Sequence, residues 1–100
     1  MRRDDVIHIL QQHRAELMRV YGVKSLALFG SVARDAACDA SDVDLLVEFD
    51  DRPVGYFHLG RTYQYLRRIL GGQKVDLVLR RALIEQFKPS ILRDAINVVN

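Results

Sequence analysis

Leu28-Phe29-Gly30-Ser31-Val32-Ala33-Arg34 and, a little further on, Ser41-Asp42-Val43-Asp44-Leu45-Leu46-Val47-Glu48-Phe49 decide the fold. The first segment completes an apolar run, Lys24 to Phe29, that reads as a buried strand ending at a Gly-Ser turn. Val32-Ala33-Arg34 then opens a short helical turn. The second segment predicts a strand over 43–49 that is apolar on both faces, and so central in its sheet. Two aspartates stand at its entrance, where aliphatic residues belong. Strand side chains alternate, so Asp42 and Asp44 point the same way.

The flanks read as helices and one more strand. Val6, Ile9, Leu10, His13, Leu17 and Tyr21 fall on one face of a helix over 4–21, with Asp4 or Asp5 at its start and Gly22 as its stop. A turn-rich connection, 50–55, leads into a second long helix over 56–70, whose stripe is Leu59, Tyr63, Leu66, Ile69 and Leu70. Gly71-Gly72 ends it. Lys74 to Leu79 reads as the third strand. Residues 35–41 read as loop. The remainder, with Ile84, Phe87, Ile91, Leu92, Ala95 and Ile96 apolar, reads as two short helices divided at Pro89. With no repeat and no linker, 1–100 is expected to be a single α/β (α+β) domain, a small mixed sheet with helices packed on it.

Asp76 interrupts the third strand, Val75-Asp76-Leu77-Val78-Leu79. If its strand neighbours the one bearing Asp44, three carboxylates converge. Such a cluster repels itself unless cations neutralise it. All-oxygen ligands with room for water and phosphate suit Mg2+ or Mn2+ rather than zinc. His8, His13 and His58 are scattered and Cys38 is alone, so no zinc pattern competes. Two such ions form a clamp for in-line phosphoryl displacement. Gly30 admits close backbone approach to a phosphate, Ser31 and the following amides can donate to it, and Arg34 lies a turn further on.

Gly30-Ser31, ten residues, then Asp42-Val43-Asp44 resembles the signature of the polymerase-β-like nucleotidyltransferases. The two opening segments, Lys74-Val75-Asp76-Leu77-Val78 and Ile91-Leu92-Arg93-Asp94-Ala95 are similar to the minimal nucleotidyltransferases, or MNT (MntA-type) antitoxins, over residues 4 to 98. The resemblance implies a sheet of the polymerase-β palm type. It implies that Gly30, Ser31 and Arg34 contact the triphosphate, that Asp42 and Asp44 bind two magnesium ions, and that Asp76 completes the metal site and helps deprotonate the acceptor. It also implies ATP as substrate, a HEPN-domain toxin as partner in a hetero-oligomer, and transfer of AMP to a toxin tyrosine. One position departs from the family: the glycine that follows the motif arginine is Asp35 here, followed by Ala36.

Each motif alone is weak. A Gly-Ser is worthless by itself, and Ser41-Asp42 fits a capped turn. The spacing, the strand context and a strand-borne Asp76 together outweigh accident. Glu48 is expected in a rim salt bridge, and Arg34 reads equally as a surface cation. Tyr56, Phe57, Tyr63 and Tyr65 fit helix packing, with partner contact open to any that stay exposed.

Composition narrows the field of functions. A hydrophobic share of 49% supports a modest core. The net charge of +2, without a basic run, argues against nucleic acid as a direct partner and against polynucleotide tailing. One cysteine fits a reducing cytosol, and no run approaches the ~20 apolar residues that span a bilayer. The expected location is the cytoplasm, away from membranes. A small-molecule acceptor calls for an extra helical domain that this sequence lacks. The alternative to catalysis is an antitoxin that acts by binding alone, a reading raised by Asp35.

Overall fold

The computed structural model describes residues 2–34, 42–52, 55–80 and 95–99. Its elements run α1 (Arg3–Gln12), α2 (Arg14–Arg19), β1 (Val23–Phe29), α3 (Gly30–Ala33), β2 (Val43–Phe49), α4 (Tyr56–Ile69), β3 (Val75–Leu79) and β4 (Ile96–Val99). The strands form one mixed sheet in the order β3-β2-β1-β4. β1 pairs antiparallel with β2 and β4, whereas β2 and β3 are parallel, with α4 as the crossover between them. β2 therefore lies inside the sheet, as its two-sided apolar sequence predicts.

Alternation sorts the strand residues onto two faces. Leu26 and Leu28 of β1, Val43, Leu45 and Val47 of β2, and Val75 of β3 join Val6, Leu10 and Leu17 and, from α4, Tyr65 and Leu66 in the main core. The opposite face carries a much smaller apolar group, Ala27 and Leu46 with Phe29, Val78 and Ala95 against them. The described helices thus cover the face that carries the main core.

Two expectations change. The helix expected over 4–21 is broken at His13, whose backbone (φ −101°, ψ 12°) leaves the helical region. The His13 ring shares a 2.8 Å hydrogen bond between Nδ1 and the Ile9 carbonyl oxygen and meets the Tyr65 ring edge-on. The apolar stripe continues across the break, so periodicity alone hides it. The second change is at the tail. Ile96, expected in a helix, begins β4, which pairs with β1 through Leu26↔Val99, Ala27↔Asn97 and Leu28↔Ile96. The loop expected over 35–41, with Asp35 and Cys38, and the tail helices expected from Ile84 to Leu92 lie outside the described residues.

Asp4 and Asp5 sit in the first turn of α1, and Asp5 accepts a hydrogen bond from the Arg2 backbone amide at 3.3 Å. Past α4, Gly71 and Gly72 hold φ of 70° and 83°, left-handed conformations that end the helix. No helix among the described residues is long and apolar enough to cross a membrane.

Candidate active site

Phe29, Asp44 and Asp76 form one row across three strands. β1 registers Phe29 against Asp44, and the parallel pair registers Asp44 against Asp76. Residues in register on neighbouring strands project to the same side, with strands about 4.8 Å apart. The two carboxylates are therefore neighbours on the face opposite the main core. The adjoining row is Ala27, Leu46 and Val78, and the row beyond contains Ser25 and Glu48. Glu48 accepts a 3.2 Å hydrogen bond from Ser25 Oγ.

Asp42 stands one residue before β2. Its Oδ2 lies 3.8 Å from Nζ of Lys74, which precedes β3. The Val43 amide donates to the Lys74 carbonyl oxygen at 2.9 Å, so the entrances of both strands are tied together. Lys74 belongs to the motif read from sequence, yet its service to Asp42 was invisible until the two strands were seen side by side.

Asp44 responds to its burial and to the charges of Asp76, Asp42 and Arg34. Burial pushes its carboxyl above the ordinary value of 3.8, and the negative charges of Asp76 and Asp42 push it further. Arg34 opposes them. Arg34 is exposed at the end of α3, but its charge reaches the carboxylate group.

Gly30 closes the arrangement from β1. It has φ of 73°, a conformation that side chains other than glycine rarely adopt. A Cβ built there would run into the Asp44 carboxylate. Glycine is required by the backbone and by the carboxylate together. Ser31 follows in α3, partly buried. The expected site residues Gly30, Ser31, Arg34, Asp42, Asp44 and Asp76 thus gather at the β1–α3 junction and the starts of β2 and β3.

Among the described residues no three His, Cys, Asp or Glu side chains close into a ready-made metal cage. Magnesium is typically held by one or two carboxylates, with water and phosphate oxygens completing its shell. The donors are carboxylate oxygens that repel one another, a set that fits a hard cation and is relieved by it. Asp42 and Asp44 are the residues that could hold it, with Asp76 beside them.

A nucleotidyltransferase domain model matches residues 10–98 of the chain. The Methanocaldococcus jannaschii protein MJ0128, provisionally designated a protein adenylyltransferase, is 41% identical over 95 residues, 94% of this chain and 95% of the relative. The protein adenylyltransferase MntA of Thermococcus cleftensis is 34% identical over 95 residues, 95% of this chain and 94% of the relative. A solved structure provisionally designated a minimal nucleotidyltransferase superposes with a TM-score of 0.76 at 31% identity, covering 96% of this chain and 95% of that one. At 18% identity, a chain from the complex of tri-AMPylated Shewanella oneidensis HEPN toxin with MNT antitoxin shares the fold, with a TM-score of 0.58 over 92% of this chain and 71% of that one.

Proposed function

The chain belongs to the nucleotidyltransferase domain family, and from that membership we propose that it transfers AMP from ATP to a tyrosine hydroxyl of a HEPN-domain toxin, and so acts as the antitoxin of the pair. The observation that carries the chemistry is the pairing of Asp44 with Asp76 in one row, with Gly30 held against Asp44. Relatives named protein adenylyltransferase support AMP as the transferred group. The shared fold with a chain of the HEPN–MNT complex supports the partner.

In the proposed reaction the Ser31 hydroxyl and the Arg34 guanidinium hold the triphosphate at the β1–α3 junction. Gly30 keeps the Asp44 carboxylate in place. Asp76, exposed beside it, takes the proton from the incoming tyrosine hydroxyl. The tyrosine oxygen bonds to the α-phosphorus as the bond from that phosphorus to the bridging oxygen breaks, and pyrophosphate leaves. Asp42 and Asp44 would hold magnesium, which when bound would supply charge neutralisation for the triphosphate and the developing transition state.

Intact-mass spectrometry of the toxin after incubation with this protein, ATP and magnesium tests the reading. The expected outcome is a gain of one or more AMP units, absent with Asp42→Asn or Asp44→Asn. An unmodified toxin that is nevertheless neutralised in a stable complex would replace this reading with the binding-only antitoxin that Asp35 raises.

A further inference from the structure

Lys74 stands immediately before β3, and two separate contacts fix it at the entrance to the carboxylate row. Its carbonyl oxygen accepts a hydrogen bond from the Val43 amide at 2.9 Å. Its ammonium Nζ lies 3.8 Å from Oδ2 of Asp42. The first contact is made by backbone and holds the residue in place whatever its side chain. The second is too long for a hydrogen bond and acts through charge. The ammonium side chain is 75% exposed and that of Asp42 41% exposed, so both charges stay hydrated and neither is locked into the pair. A cation that binds Asp42 therefore has no bond to break, but it enters beside a fixed positive charge.

The phosphate donors lie on the other side of the ligands. Gly30 and Ser31 follow β1, and β2, which carries Asp44, separates β1 from β3. Lys74 reaches Asp42 from the β3 side, so its influence on a triphosphate at the β1–α3 junction is one of charge across the site rather than contact. One positive charge acts in opposite senses on two forms of the same metal. A bare divalent ion is repelled by it. The same ion carried on a nucleoside triphosphate belongs to a complex whose phosphate charges outnumber its own, and that complex is attracted.

We propose that Lys74 is a positioning residue for metal loading: it disfavours a bare divalent cation at Asp42 and favours one that arrives already bound to the triphosphate. The inference rests on the reading that Asp42 and Asp44 hold the ion, and it adds the order in which ion and nucleotide enter. The carboxylates then meet their cation together with the nucleotide it serves.

The test uses manganese as the probe, with the unbound ion followed by its electron paramagnetic resonance signal. Calorimetry follows the complex of manganese with an ATP analogue whose α–β bridge is carbon. Lys74→Met removes the charge, buries nothing new and leaves the backbone bond to Val43 in place. Lys74→Arg keeps the charge. Lys24→Met removes the same charge from an exposed position of β1, between Val23 and Ser25, which pair with Phe49 and Glu48 at the opposite end of β2 from Asp42. Bare manganese is expected to bind about three- to tenfold tighter in Lys74→Met, and the manganese–nucleotide complex at least about twofold weaker. Lys74→Arg and Lys24→Met should stay within about twofold of wild type for both ligands. Added salt should narrow both differences. A structural lesion would weaken both ligands together, so the opposite signs distinguish a charge effect from damage. Unchanged or weaker manganese binding in Lys74→Met, two ligands moving in the same direction, or the same pattern in Lys24→Met would overturn the inference. A wild-type protein that binds neither the ion nor the complex removes the metal reading itself, and this inference with it. The expected pattern without AMP transfer to the toxin leaves the role of Lys74 standing and counts against the adenylylation reading instead.

Discussion

Gly30 shows how one residue can be fixed by two independent demands. Its φ of 73° costs other residues roughly 1–2 kcal/mol, and the space where a Cβ would go is filled by the Asp44 carboxylate. Gly30→Ala is therefore expected to lower the melting temperature by on the order of 10 °C. It should also slow nucleotide transfer by about a hundredfold, the usual effect of moving a reacting group by an ångström. Thermal melts and initial rates on the same preparation check both numbers. A normal rate with a lowered melting point would mean that the Asp44 position does not matter to the reaction.

Asp44 makes a second prediction at this scale. Its folded carboxyl is raised above 3.8, by burial first and then by Asp76 and Asp42. A raised folded value means that protonation favours the folded state. The stabilising contribution is complete below the unfolded value and is lost as pH rises through the folded one. The metal-free protein at neutral pH thus carries a charge that its surroundings disfavour. Asp44→Asn removes that charge, and the metal-free variant is expected to melt a few degrees above wild type at neutral pH but not near pH 4. Magnesium should raise the wild-type melting point and leave the variant unmoved. An equal gap at both pH values would rule out the carboxylate charge as its cause.

Among the elements, those with strong local signals were legible in the sequence. β1, β2 and β3 are short apolar runs bounded by turn residues, and α4 is a helical stripe ended by Gly71-Gly72. The Gly30-Ser31 and Asp42-x-Asp44 spacing was legible for the same reason, as a pattern within one stretch of chain. β4 was not. Ile96-Asn97-Val98-Val99 is rich in β-branched residues, but it continues an apolar spacing that fits a helix, and its partner β1 lies far away in sequence. The registers that put Asp76 beside Asp44 and Lys74 beside Asp42 are equally non-local, so convergence of the carboxylates could be stated only on the condition that the strands were neighbours. The break at His13 escaped notice because it does not turn the apolar face.

α4 and α2 are joined by a hydrogen bond that can be tested as a link between elements. The Tyr65 hydroxyl donates to Glu16 Oε2 at 2.9 Å, and its ring stacks on Tyr21 with centroids 4.6 Å apart. Burial first, and then the carboxylate it bonds, push the Tyr65 phenol from 10.0 up to about 12. The raised value stabilises the fold fully below pH 10 and is lost as pH climbs towards 12. Tyr65→Phe keeps the ring contacts and removes the hydroxyl, at an expected cost of about 0.5–1.5 kcal/mol at neutral pH. It should also flatten the loss of stability above pH 10. Urea unfolding at neutral and alkaline pH measures both effects, and a variant that still loses stability as steeply as wild type would place the alkaline transition elsewhere.

Across the whole molecule, stability and the proposed chemistry occupy opposite faces of one sheet. The main core lies between the sheet and α1, α2 and α4, whereas among the described residues the carboxylate row shares its face with a small apolar group. Substitutions on the two faces should therefore separate cleanly. Leu66 is fully buried on the helix side, far from the row of Phe29, Asp44 and Asp76 in the sheet's layering. Leu66→Ala is expected to cost about 2–5 kcal/mol through lost burial and the cavity left behind. Small domains have about 5–15 kcal/mol in hand, so most molecules stay folded in the cold. There the transfer rate per folded molecule should remain within about twofold of wild type, because no reacting group has moved. Asp42→Asn should do the reverse, removing transfer while leaving the urea midpoint at or above that of wild type. Rates normalised to the folded fraction decide the matter. If Leu66→Ala slowed transfer as much as Asp42→Asn does, the sheet would be passing strain from its packed face to its open one, and the division of labour between the faces would not hold.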